Sequence, residues 1–109
     1  MTISVLDCTL REGGYVNNWN FGNERPILQA LDAGGIDYIE CGFLKNVDYK
    51  KGYTIFDSPQ KIAELSSAKR ALMINYGEMP LECIPDNLFG EFYLRVAFRK
   101  NDRHDAIKY

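Results

Sequence analysis

The sequence predicts an α/β fold built from parallel βαβ units. Four strand-like apolar runs begin near residues 3, 36, 71 and 92, and segments with helical spacing separate most of them. This alternation is typical of parallel sheets with crossover helices. Hydrophobic residues make up 46% of the 109 residues, and aromatic residues make up 13%. That composition is ordinary for a globular chain, and the length suits one small domain or part of a larger one.

The elements follow from local signals. A first strand is expected over residues 3–6, and a helix follows over residues 23–33. Asn23 can cap this helix, Pro26 is tolerated in its first turn, and Gly34 marks its end.

The later elements are predicted with the same rules. They are strand, helix, strand, loop with a short helix, strand and helix, over residues 36–43, 58–65, 71–76, 79–87, 92–98 and 102–109. The run at 71–76 is almost wholly apolar, so we expect it to be buried on both faces. Residues 44–57 form a long irregular connection, and such loops are often functional.

Charge and cysteine content exclude several classes of protein. The formal net charge is -2 and the pI is about 5.3, so no basic excess indicates nucleic-acid binding. No signal peptide and no apolar run of the roughly 18 residues that a membrane helix needs is present, so we expect a cytoplasmic protein without membrane contact. The three cysteines form no CxxC pair, which argues against disulfides and a zinc ribbon. Cys8 and Cys41 are interpreted as small buried core residues.

Polar groups collect where the predicted strands end. They are Asp7, Arg11 and Glu12 after the first strand, Glu40 at the end of the second, Asn75, Tyr76 and Glu78 at the third, and Arg99, Asn101 and Asp102 after the fourth. In parallel α/β folds the carboxyl ends of the strands form the site edge. This asymmetry is the strongest indication of a functional site in the residues themselves.

Carboxylates around one arginine fit a specific chemistry. Carboxylate oxygens prefer hard cations such as Mg²⁺ or Mn²⁺, and Arg11 could stabilise an enolate beside such an ion. A surface salt-bridge cluster is the alternative interpretation of the same residues. The single histidine, His104, lies in a polar run and is interpreted as a solvated helix residue, so a site that needs two histidines cannot be built.

Two motifs carry a resemblance to a known family. TLREG after the first strand and IECGF at the end of the second resemble the pyruvate carboxyltransferase-like superfamily, also called HMGL-like proteins or DRE-TIM metallolyases. The stretch LDCTLREGGYVNNWNFG is most similar to the 4-hydroxy-2-oxovalerate aldolase branch, and the likeness runs from Val5 to about Phe98. The resemblance implies that residues 1–109 are the N-terminal portion of an aldolase-type (β/α)₈ TIM barrel. A full barrel takes about 250 residues, so this chain would form its first half.

The resemblance also implies an activity. Its members make or break a C–C bond through a metal-bound enolate of a 2-oxo acid, and for this chain the resemblance implies a carbon–carbon lyase or aldolase that acts on a small 2-oxo acid. Carried over to this sequence, Arg11 would stabilise the enolate, and Glu12 would be the metal ligand for Mn²⁺ or Mg²⁺, with Zn²⁺ as a further option. Glu40 would lie near both, and Asp7 would support them without touching the ligand.

Three further site residues lie outside the TLREG and IECGF motifs. Tyr15 stands where the aldolases carry their histidine base, so it takes that catalytic position here. Asn75 and Arg95 are expected to line the substrate site. The family completes its metal site with a His-x-His pair from a later strand, which this sequence lacks.

Three hypotheses follow. The chain is the amino-terminal part of a metal-dependent lyase and is nearly inactive alone, with a helix over residues 102–109 that would continue. Alternatively, it is a half-barrel that pairs with a second copy through its open sheet edges. The third hypothesis is a non-catalytic binding module that kept the motif.

Overall fold

The computed structural model describes residues 2–78 and 92–108, and the loop predicted over residues 79–87 lies outside them. The strands are β1 (Leu6–Asp7), β2 (Tyr38–Leu44), β3 (Ile55–Phe56), β4 (Lys69–Asn75) and β5 (Phe92–Ala97). The helices are α1 (Thr9–Glu12), α2 (Gly14–Asn17), α3 (Arg25–Ala33) and α4 (Arg103–Lys108), with 3₁₀ turns at Pro59–Lys61 and Lys100–Asp102. Among the described residues, no helix combines the length and apolar character that crossing a membrane requires.

The sheet is parallel, which confirms the predicted α/β class. Its main order is β1-β2-β4-β5, and each neighbouring pair runs parallel. The short strand β3, which the sequence did not predict, pairs with the end of β2. It uses the same edge of β2 as β1, because β4 occupies the other edge.

The core lies on the face of the sheet that α3 covers. Its buried members include Leu10, Leu28, Ile39, Cys41, Leu44, Phe56, Leu72 and Ile74. Ile39 and Cys41 are two residues apart on β2 and therefore point to the same side. Cys41 is fully buried, as predicted, whereas Cys8 is only half-buried and does not belong to this cluster.

The opposite face of the sheet carries polar and aromatic side chains. The rings of Tyr38 and Tyr93 meet edge to face with their centroids 5.3 Å apart. Nζ of Lys69 lies 5.6 Å from the centre of the Tyr38 ring. Glu40 and Arg95 belong to this same face by the alternation of side chains along β2 and β5. Glu40 and Arg95 therefore point away from the core that α3 covers.

The first strand begins later than predicted. Residues 3–6 were expected to form it, but only Leu6–Asp7 pairs with β2, and Ile3 is 78% exposed. The backbone N–H of Val5 donates to Oδ2 of Asp37 at 2.7 Å instead of to a strand carbonyl. The side chain of Asp37 therefore replaces a β-sheet hydrogen bond at Val5, and β1 begins at the next residue although residues 3–5 have strand-like apolar character.

The helix predicted over residues 58–65 is wrong. Only Pro59–Lys61 is helical, as a single 3₁₀ turn. If this helix continued beyond residue 65, the carbonyls of Ile62 and Ala63 would bond to the N–H groups four residues later. In the fold, both carbonyls instead accept hydrogen bonds from Nη1 of Arg70, at 3.4 and 3.2 Å.

Those same N–H groups bond to a side chain of α3. The carboxylate of Asp32 accepts from the backbone N–H of Ser66 at 2.7 Å and of Ser67 at 2.9 Å. It also accepts from the N–H of Ala68 at 2.7 Å and from the hydroxyl of Ser66 at 2.8 Å. Tertiary partners therefore bond to the backbone groups at and just after the carboxyl end of the predicted helix.

Candidate functional site

The turn after β1 is organised by Asp7. Its Oδ1 accepts from the backbone N–H of Thr9 at 3.0 Å, and its Oδ2 accepts from the Thr9 hydroxyl at 3.1 Å. This pairing starts α1, which places Leu10 fully inside the core. The carbonyl of Leu10 accepts from the buried hydroxyl of Thr54 at 2.8 Å. Because Leu10 is anchored from both sides, the neighbouring Arg11 is directed toward the other face of the sheet.

The glycine pair of the motif has a packing role. A Cβ atom on Gly14 would lie 1.9 Å from Cδ1 of Trp19, so only glycine leaves room for the indole. Nε1 of Trp19 donates to the carbonyl of Arg11 at 2.9 Å. Asn18 and Trp19 themselves have positive φ angles, 56° and 60°. The tight turn thus presses the indole against α1 and fixes the backbone that carries Arg11.

Glu40 is the centre of the site. Its side chain is fully buried, and both of its oxygens are bonded to guanidinium groups. Nε of Arg11 donates to Oε1, and Nη1 of Arg95 donates to Oε2. The structure therefore brings together three residues that were predicted separately, from the loop after β1, from β2 and from β5.

Glu12 extends this cluster toward solvent. Its Oε1 accepts from Nη1 of Arg11 at 2.7 Å, and its side chain is 61% exposed. Burial by itself lowers the pKa of Arg11. The hydrogen bond and charge of Glu40, followed by those of Glu12, outweigh this effect and raise the pKa above its ordinary value. Arg11 is therefore a permanent cation. Its Nη2 takes part in neither of these two bonds.

The position of Glu40 within its strand differs from the prediction. It was expected at the end of the second strand, but β2 continues to Leu44 because β3 pairs with its last two residues. A bulge interrupts the pairing with β4 between Glu40 and Gly42. A Cβ on Gly42 would meet the carbonyl oxygen of Thr54 at 2.0 Å, so a side chain cannot be accommodated there.

Cys8 borders the site, although the sequence predicted that it would be a buried core residue. Its Sγ lies 3.7 Å from Nη1 of Arg95, the same nitrogen that donates to Glu40. The carbonyl of Cys8 accepts from the backbone N–H groups of Arg11 and Glu12, at 3.1 and 2.8 Å. Its position three residues before Arg11, on the same helical turn, was the available signal.

Three predicted site residues do not join the ion-pair cluster, and one of them is Asp7, which is bonded to Thr9. Tyr15 is 65% exposed, and its ring meets that of Trp19 at a centroid distance of 4.9 Å. Asn75 ends β4, where its Nδ2 donates to Oε2 of Glu78 at 3.1 Å. Asn75 lines a separate cleft of about 550 Å³ at the carboxyl ends of β4 and β5, together with Arg99. His104 is exposed on α4, as predicted.

The donor set fits a metal only in part. Within residues 2–78 and 92–108, no group of three or more His, Cys, Asp and Glu side chains is arranged to hold a metal ion. Glu12, the predicted ligand, is bonded to Arg11, while the carboxylate of Asp7 is bonded to Thr9. The described residues therefore supply one exposed carboxylate beside a guanidinium, which is a fragment of a metal site.

The arrangement is better suited to oxyanion recognition. Two guanidinium groups share one buried carboxylate, so Arg11, Arg95 and Glu40 together carry one net positive charge, which the exposed Glu12 balances from the solvent side. Planar guanidinium groups bind carboxylates and related anions through several parallel N–H donors. No family model, no curated protein and no solved structure matches the chain.

Proposed function

We propose that this chain forms the enolate-stabilising part of a carbon–carbon lyase site for a small 2-oxo acid. The reaction class is that of the 4-hydroxy-2-oxovalerate aldolases, within the HMGL-like superfamily that the TLREG motif resembles. The supporting observation is the pair of arginines, Arg11 and Arg95, held on opposite oxygens of the buried Glu40. A parallel sheet of βαβ units is also compatible with the first half of a TIM barrel.

Arg11 is the residue that we propose acts on the reacting oxygen. When a C–C bond next to a 2-oxo group breaks, negative charge collects on that oxygen as the enolate forms. A fixed cation stabilises such charge without reorganisation, which is the source of most oxyanion catalysis. Glu40 and Glu12 fix the Nε and Nη1 sides of the guanidinium, so its Nη2 side remains for the ligand.

Arg95 supplies the second cation. Its side chain is 41% exposed, compared with 12% for Arg11, so it is open to a ligand that approaches from solvent. A 2-oxo acid has a carboxylate next to the reacting carbonyl. We assign that carboxylate to Arg95 and the developing enolate oxygen to Arg11, because the two guanidinium groups lie on either side of one carboxylate.

A divalent metal and a base complete the proposal. When bound at Glu12, Mn²⁺ or Mg²⁺ would polarise the substrate carbonyl, and the further ligands would come from outside the described cluster. Tyr15 takes the position of the aldolase base and would exchange a proton with the substrate carbon. Its exposure beside Trp19 leaves the hydroxyl accessible.

Binding of oxalate tests the proposal without requiring turnover. Oxalate is a planar mimic of the pyruvate enolate, whereas lactate has a tetrahedral carbon at the same position. We expect oxalate to bind the 109-residue chain more tightly than lactate, measured by calorimetry with and without Mn²⁺. Arg11→Ala should weaken oxalate binding by about 10²-fold or more, as for the loss of an oxyanion donor.

The matched control is Arg103→Ala. Arg103 is an exposed arginine at the start of α4, and within the described residues its Nη1 donates to the nearby carbonyl of Lys100. Equal oxalate affinities in Arg11→Ala and Arg103→Ala would contradict the role of Arg11. Tyr15→Phe should leave oxalate binding unchanged but abolish any deuterium exchange at the methyl group of pyruvate, which separates its role from that of Arg11.

A second candidate is a catalytically inactive half-barrel that dimerises or serves as a binding module. Its support is the sheet face that bears Tyr38 and Tyr93, and the strand β5, which among the described residues pairs only with β4. Sedimentation equilibrium distinguishes the two candidates. A dimer that binds neither oxalate nor Mn²⁺ would favour this second function.

A further inference from the structure

A second polar cleft lies apart from the Arg11–Glu40–Arg95 cluster. It measures about 680 Å³, within the usual range of small-molecule sites. It opens between the loop that precedes α3 and the loop that follows β2. Its lining residues are Gly22, Asn23, Glu24, Arg25, Tyr49, Lys51 and Lys61, and none belongs to the proposed lyase site.

The two loops are joined by backbone contacts that define the cleft. The N–H of Phe21 donates to the carbonyl of Gly52 at 3.0 Å. Gly52 has a φ of +92°, and a Cβ there would lie 2.8 Å from the carbonyl oxygen of Gly22. The N–H of Thr54 donates to the carbonyl of Trp19 at 2.9 Å. These contacts hold the walls together before any ligand arrives.

The lining residues give the cleft a net positive charge. Arg25, Lys51 and Lys61 are exposed cations along its rim, and Glu24 is the one acid among its lining residues. Three positive charges and one negative charge leave two positive charges. A phosphate monoester carries about -1.5 to -2 at pH 7, so it matches this charge better than a single carboxylate does.

Glu24 selects for a second feature of the ligand. It is only 9% exposed, yet its side chain makes no hydrogen bond or ion pair within the described ranges 2–78 and 92–108. The carboxylate oxygens of Glu24 are not among the fully buried atoms that lack a partner, so they reach solvent at the cleft, where they accept hydrogen bonds only. A ligand that offers hydroxyl donors beside its phosphate would satisfy Glu24.

Tyr49 forms one wall of the cleft. Its ring stacks on Phe56 with centroids 5.5 Å apart, and Nζ of Lys61 lies 6.0 Å from the ring centre. Burial, followed by the nearby charge of Glu24, raises the pKa of Tyr49. Its hydroxyl therefore stays protonated at neutral pH and adds no negative charge that would repel an anion.

We infer that this cleft binds the phosphate monoester of a small polyhydroxylated molecule. Arg25, Lys51 and Lys61 bind the phosphate, and Glu24 accepts hydrogen bonds from the hydroxyl groups. The inference does not depend on the lyase proposal, because the two sites share no residue.

Ribose 5-phosphate is a suitable probe, and inorganic phosphate is its comparison. Calorimetry on the 109-residue chain should show tighter binding of ribose 5-phosphate. Lys51→Gln and Lys61→Gln should each weaken that binding about tenfold, the usual effect of losing one charge-assisted hydrogen bond. Lys50→Gln is the matched control, since Lys50 is exposed next to Lys51 but does not line the cleft.

The substitution Glu24→Gln distinguishes the two parts of the ligand. It should weaken ribose 5-phosphate binding about tenfold and leave inorganic phosphate binding equal or stronger, because one repulsive charge is removed. The backbone N–H signals of Gly22 and Gly52 in NMR spectra should shift with ribose 5-phosphate, which reports the location directly. Equal effects of the Lys50 and Lys51 substitutions, or no preference for ribose 5-phosphate over phosphate, would overturn the inference.

Discussion

Arg11 and Glu40 lie 29 residues apart in the chain, and Nε of Arg11 donates to Oε1 of Glu40 beneath the turn that follows β1. Glu40 is completely buried, so the folded chain tolerates its charge only because Arg11 and Arg95 both bond to it. The ion-pair cluster therefore links three separate segments. Site geometry and fold stability depend on the same contacts.

Glu40→Gln should lower the stability of the chain. It preserves the side-chain volume but leaves two guanidinium groups without their carboxylate, and breaking a buried pair in this way costs about 3 kcal/mol or more. Urea denaturation at pH 7 measures the change in the free energy of unfolding. Glu12→Gln is the control, because its exposed ion pair with Arg11 is worth about 1 kcal/mol at most. Equal losses in the two variants would show that burial does not distinguish these ion pairs.

Asp32 should make the fold sensitive to acid. Hydrogen bonds from the N–H of Ala68, then from Ser66 and Ser67, lower the pKa of Asp32 to about 2, below its ordinary value of 3.8. A carboxyl group with a lowered pKa in the fold stabilises it above its unfolded pKa, and that contribution is lost as the pH falls through the folded pKa. The expected loss of stability therefore lies between about pH 4 and pH 2.

Asp32→Asn tests this dependence directly. The amide has one acceptor oxygen and cannot accept every hydrogen bond from residues 66–68, so the variant should be less stable than wild type at pH 7. The difference between the two should shrink as the pH falls from 4 to 2, as measured by urea unfolding at each pH. Asp48→Asn is the control, since Asp48 is exposed and its side chain makes no hydrogen bond in the described segments. A difference that is independent of pH would contradict the assignment.

Gly14→Ala should disturb the turn that carries Arg11. The new Cβ would overlap the indole of Trp19 at 1.9 Å, and overpacking of this kind costs about 1 to 3 kcal/mol. Trp19 is the only tryptophan, so its fluorescence reports the displacement. In the double variant Gly14→Ala/Trp19→Ala the overlap is absent, so the two effects should not add. Additive losses would mean that the glycine is required for a reason other than the indole.

The two described cysteines should react at different rates. Burial raises the pKa of the Cys41 thiol to about 12, so its reactive thiolate is scarce at pH 8 and the group is also inaccessible. Cys8 is half-buried beside Arg95 and should be alkylated first by iodoacetamide. Timed labelling with peptide mass spectrometry gives both rates, and unfolding in urea should make them equal. Similar rates in the native chain would contradict the buried position of Cys41.

Part of the site was visible in the sequence. The parallel order of strands follows from the alternation of apolar runs and helical segments, and the structure confirms it. The carboxyl-end rule then placed Arg11 and Glu40 near each other, and they are in contact. These inferences held because the type of each element and its side-chain alternation are local properties, and alternating strands and helices favour parallel pairing.

Other parts depended on contacts between distant segments. The helix predicted over residues 58–65 has suitable apolar spacing, but Arg70 and Asp32 bond to backbone groups at and just after its carboxyl end. No local pattern contains those partners, because they lie on other elements. The same holds for the cleft around Glu24, whose lining comes from three separate segments.

The sequence by itself determined the parallel α/β class and the residue types that carry chemistry after the first strand. The tertiary structure decided which side chains form ion pairs. Arg95, which lies 55 residues from Glu40, forms the second ion pair of Glu40, while Tyr15 and Asn75 lie outside the cluster. The physical reason is register. The pairing of β2, β4 and β5, with its bulge after Glu40, sets which side chains are within hydrogen-bond reach, and that pairing is a property of the whole sheet.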